Sequence, residues 1–93
     1  MYYRITTLHF DAARRDEFLA QADSVREEMK GISGIQSVTI VETDEGEAIG
    51  VAAYDTHANA DAAVPQVQQI LGGLSSFFTA PPLQKTGPVM WSM

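Results

Sequence analysis

Few side chains in these 93 residues can do chemistry, and each stands alone in the sequence. Arg4 lies inside an apolar and aromatic run from Tyr2 to Phe10. A cation so placed can hold a phenolate or carboxylate by charge-assisted hydrogen bonds, or pair with an acid across a subunit interface. His9 and His57 can each exchange a proton near neutral pH. Asp55 is close enough in sequence to orient His57, but no nucleophile or second base is fixed beside either histidine, and surface or capping roles suit both. Tyr54 and Trp91 are amphipathic aromatics able to stack on a planar ligand and offer it a hydrogen bond; as ordinary residues they would be core or interface. The catalytic candidates are therefore Arg4 and His57.

Other chemistries find no support. Asp44, Glu45 and Glu47 lack calcium-loop spacing and read as turn and solubility residues. Without cysteine there is no disulfide framework, thiolate metal site or cysteine nucleophile. No Ser-His-Asp arrangement or phosphate loop can be drawn, and no metal site is expected. Twelve acids against six bases give a net charge of −6, which repels nucleic-acid phosphates. No run approaches the about 18 apolar residues of a membrane helix, and the amino terminus passes directly into strand-like residues, so a cytoplasmic location is expected.

The elements that must position these residues follow from periodicity. Tyr2–Phe10 reads as a strand with Tyr3, Ile5 and Thr7 on one face and Tyr2, Leu8 and Phe10 on the other. Asp11 suits a helix N-cap. Phe18, Ala22, Val25, Met29 and Ile32 then form one stripe at helical spacing, ending at Gly31 and Gly34, both expected at positive φ. The span Ile35–Asp55 reads as a hairpin around the turn Thr43–Glu47, with Ile35, Ser37, Thr39 and Val41 sharing a face. In its second strand, Ile49-Val51-Ala53 is expected to pack on helices, and the small residues Ala48, Gly50 and Ala52 with Tyr54 to face a cavity or partner. A helical turn over Ala58–Val64 precedes a helix from Pro65 to about Phe78, buried through Val67, Ile70, Leu71, Leu74 and Phe77/Phe78. Leu83–Met93 is expected to return as a final strand.

Strand, helix, strand, repeated, is the ferredoxin-like βαββαβ order: an α+β fold with a four-stranded antiparallel sheet and helices on one face, in a single domain spanning 1–93. Two helices cover only one sheet face. Tyr2, Leu8, Phe10, Val38 or Val41, and Trp91 would lie bare on the other, and a homodimer packed through that face would cover them.

Tyr2–Phe10, the helix ending at Ser33-Gly34-Ile35, the Thr43–Glu47 turn and Tyr54-Asp55-Thr56 together resemble the antibiotic biosynthesis monooxygenase-like family of dimeric α+β barrels. Ser33-Gly34-Ile35 is similar to that family's Pro-Gly-aromatic step, and Tyr54-Asp55-Thr56 to its Trp-polar-Ser step. The resemblance implies a homodimer with a cavity lined by Tyr2, Arg4, Thr6, Tyr54 and Trp91. It further implies oxidation of an aromatic or apolar small molecule by dioxygen without a cofactor. In that chemistry Arg4 would stabilise the substrate anion, and His57 or water would take the proton. The family's haem-degrading branch has an asparagine on strand one, a tryptophan ending strand three and a histidine in the second helix. Here Thr6 and Tyr54 hold the first two positions and no histidine follows His57, which argues against haem cleavage. The alternative is a non-catalytic ligand-binding or dimerisation module of the same fold.

Overall fold

The computed structural model describes residues 1–93 throughout. Four strands, β1 (Tyr2–His9), β2 (Ile35–Asp44), β3 (Glu47–Tyr54) and β4 (Leu83–Pro88), form one antiparallel sheet in the order β2-β3-β1-β4. Each connection between β1 and β2, and between β3 and β4, contains a broken helix: α1 (Arg15–Ser24) with α2 (Arg26–Lys30), and α3 (His57–Ala62) with α4 (Val64–Gly73). This is the ferredoxin-like α+β fold, with the helices on one face of the sheet. No helix is long and apolar enough to cross a membrane.

Local chemistry accounts for most boundaries. Asp11 caps the first helical turn by accepting from the Ala13 N–H at 3.0 Å, and Thr56 caps α3 by accepting from Asn59 N–H at 3.1 Å. The predicted stripe holds through the break at Val25: Phe18 and Ile32 are buried, and Val25 and Met29 pack against the same core. Pro65 sits in the first turn of α4, where its missing N–H costs nothing, so the helix restarts there as the sequence predicts. Gly34 has a φ of +77°, as anticipated. Gly31 does not: its φ is −79°, because the helix turns once more before leaving. The last strand ends at Pro88 rather than Met93.

The sidedness of the sheet is opposite to the sequence expectation. Register places Tyr2 opposite Tyr54, Arg4 opposite Ala52, Thr6 opposite Gly50 and Leu8 opposite Ala48, so these residues share one face, as predicted. That face meets the helices, however. Leu8, Phe10, Ala48 and Tyr54 join Phe18, Ile70, Leu74 and Phe77 in the core. The reason is volume: bulky helix residues need small strand residues beneath them, and Ala48 and Ala52 supply that room. A bulge between Ile35 and Ser37 also moves Ile35 off the predicted Ser37-Thr39-Val41 face, opposite Tyr54 and against the core.

Tyr3, Ile5, Thr7, Ile49, Val51, Val41 and Leu83 therefore occupy the face away from the helices, with Ile5 45%, Val41 49% and Leu83 64% exposed. Tyr2, Leu8 and Phe10 do not. The chain exposes 5937 Å², against about 5,300 Å² for a compact monomer of its mass.

Candidate functional site

Tyr54 ends β3 with no exposed surface, directly opposite Tyr2 and one diagonal step from Arg4. That diagonal brings the two polar groups together on the helix face. Arg4 Nη1 donates to Tyr54 Oη at 2.6 Å, and the guanidinium carbon lies 5.2 Å from the tyrosine ring centroid. Arg4 Nη2 donates to the Ala60 carbonyl of α3 at 2.9 Å, tying that helix to the sheet. Arg4 is 4% exposed and has no carboxylate in ion-pair range. Burial pushes the Tyr54 phenol above its usual pKa, and the charge and hydrogen bond of Arg4 oppose that shift without cancelling it. Tyr54 is thus neutral at physiological pH. Its oxygen accepts from Arg4, and its own proton has no acceptor within the protein.

Arg4, Thr6 and Tyr54 supply the polar side chains of an inner cavity of about 100 Å³ between sheet and helices, otherwise lined by apolar residues and Gly50. A groove of about 630 Å³ lies beside it, between α1–α2 and the edge strand β2. Ala22, Met29, Ile35, Val38 and Ile40 line both, so the groove and the inner cavity share a wall. Leu19, Val38 and Ile40, each more than a third exposed, give the groove its apolar floor, and Asp23, Arg26 and Lys30 stand among its lining residues. The combined space falls within the range of small-molecule sites, and the inner part alone does not.

The remaining sequence candidates are dispersed. His57 does not pair with Asp55. Its ring stacks on Tyr2 at 4.2 Å between centroids, its Nε2 is 3.2 Å from Asp61 Oδ2, and its side chain is 63% exposed. Asp55 instead accepts from the Asn59 amide at 2.8 Å. The i, i+4 spacing on α3 puts Asp61, not Asp55, beside His57. Tyr2, His57 and Trp91 line neither the groove nor the inner cavity, and Trp91 is exposed beyond the end of β4. His9 is half-buried, and its carbonyl accepts from Thr79 N–H. Sequence reasoning missed the groove residues Leu19, Met29, Val38 and Ile40, and the Ala60 carbonyl. The small-residue alternation in β3 was the only signal for the space they enclose.

No family model matches the chain, and no curated protein does. Solved structures do. A monooxygenase from the gene ActVA-Orf6 of Streptomyces coelicolor, in complex with nanaomycin D, is 19% identical, with a TM-score of 0.79 over 99% of this chain and 89% of that one. A Nitrosomonas europaea protein of unknown function is 10% identical, with a TM-score of 0.80 over 99% of this chain and 91% of that one. A structure described as an antibiotic biosynthesis monooxygenase is 12% identical, with a TM-score of 0.75 over 97% and 99%. The chain has, end to end, the ferredoxin-like α+β fold of antibiotic biosynthesis monooxygenase structures.

Proposed function

We propose that the protein is a member of the antibiotic biosynthesis monooxygenase-like family, a homodimer that binds an aromatic or apolar small molecule between sheet and helices. The observation that carries this reading is the groove that shares a wall with the Arg4–Tyr54 cavity. The ligand's body lies along Leu19, Val38 and Ile40, and its reacting end reaches inward.

The activity proposed for this site is cofactor-independent oxygenation. An anthrone-type methylene loses a proton to water entering by the groove, since His57 lines neither space. The resulting electron-rich carbon adds dioxygen, and the hydroperoxide loses water to leave a carbonyl. The substrate supplies every electron, so no metal or flavin is required. Oxygen uptake by the purified protein with anthrone-like and quinol substrates tests this: uptake above the spontaneous rate is expected, and a rate at background for all of them would sink it. The small inner cavity favours a second reading, a binding module without turnover, for which ligand binds and oxygen is not consumed.

A further inference from the structure

Four of the other five basic residues pair with carboxylates at the surface: Arg14 with Glu17, Arg15 with Glu42, Arg26 with Asp23 and Lys30 with Glu27. The one buried cation, Arg4, has only neutral partners, a phenol and a peptide carbonyl. A chain with twelve acids places none of them beside it. Burying a guanidinium without a counter-charge is costly, and the cost is recovered when an anion arrives. The Tyr54 proton, without an acceptor in the protein, lines the same cavity. Burial keeps that phenol protonated, so it remains a donor.

We infer that Arg4 and Tyr54 form a site for one oxyanion, and that the ligand completing it is a monoanionic amphiphile with a phenolate or carboxylate head. Arg4 supplies the charge and Tyr54 a directed hydrogen bond. The inner cavity, about 100 Å³, takes a head no larger than a single ring, and the adjoining groove takes the apolar body. This rests on the reading of the cavity as a ligand site and adds that its occupant is charged. The competing role for Arg4 is a clamp that holds α3 to the sheet through Ala60.

4-Nitrophenol, whose visible absorption reports its ionisation, tests the inference on the wild-type protein. Bound probe is expected to ionise at lower pH than free probe by about one pH unit, equivalent to tenfold tighter binding of the phenolate. Ionisation at the same or a higher pH would overturn the inference. In a second arm, 1-naphthoate and its neutral amide are titrated calorimetrically. The acid is expected to bind about tenfold tighter, and Arg4→Met to erase the difference. Phenolate binding without naphthoate binding assigns the head as a phenolate, and the reverse assigns a carboxylate. Amide and acid binding equally would remove the charged-ligand inference and leave the ligand site standing. Failure of every probe to bind would remove both.

Discussion

Gly34 carries the tightest constraint in the chain. Its φ is +77°, and a Cβ there would stand 2.3 Å from Asp55 Oδ1 and 2.7 Å from Asn59 Cβ. Its carbonyl accepts from Asp55 N–H at 2.9 Å, so the residue latches the entry of β2 to the exit of β3. Gly34→Ala is expected to destabilise by roughly 2–4 kcal/mol, combining left-handed strain with the clash, and calorimetry should show a Tm lower by about 10 °C or more. Tyr54 makes a pH prediction. Because its phenol is raised in the folded protein, the unfolded chain releases that proton first as pH climbs past about 10. Above that point the folded state holds more protons, and stability falls with rising pH until Tyr54 itself ionises. Urea titrations of wild type and Tyr54→Phe between pH 9 and about 11 should therefore converge as the wild type loses this contribution; an unchanged gap contradicts it. Arg4 and Tyr54 were both legible as candidates in the sequence. Their mutual hydrogen bond was not, because it depends on a strand register that only the folded sheet fixes.

At the scale of elements, alternation in β3 makes two faces legible, and the small face does border an inner cavity through Gly50, Ala52 and Tyr54, though on the helix side of the sheet. Which face the helices take was not legible, since alternation labels two sides without naming them. Volume decides it: Phe18, Ile70 and Leu74 share the core with Ala48, and Ala52 packs against it, while Gly50 borders the inner cavity. The bulge after Ile35 escaped the sequence for the same reason, because periodicity assumes an unbroken strand. Gly50 offers a test of the cavity. A Cβ there would meet Thr6 Cβ and carbonyl oxygen only at 3.9 Å, an ordinary contact. Gly50→Ala is expected to keep or raise stability, by up to about 1 kcal/mol, while weakening ligand binding several-fold. Stability from urea titration and affinity from calorimetry on the same variant separate these effects, and unchanged affinity would show that ligand does not reach this wall.

The whole molecule presents an outer sheet face of Tyr3, Ile5, Val41, Ile49, Val51 and Leu83 that its own helices leave uncovered. A bare face needing a partner is expected from the sequence; of the residues expected there Val41 lies on it, while Tyr2, Leu8 and Phe10 face the helices, a direct consequence of the inverted sidedness. We propose a second copy as the cover. Ile5 is half exposed in the chain, so Ile5→Lys is expected to leave the circular dichroism spectrum intact and shift sedimentation from dimer to monomer; a wild-type protein that sediments as a monomer contradicts the dimer. Entry of ligand on the helix side of the sheet is tested by a crystal structure of the protein grown with a polycyclic quinol. Density is expected to run from the groove beside Leu19, Val38 and Ile40 into the inner cavity, with a ligand oxygen in hydrogen-bond range of Tyr54. Ligand density on the outer sheet face, with the inner cavity closed by its own side chains, would contradict it.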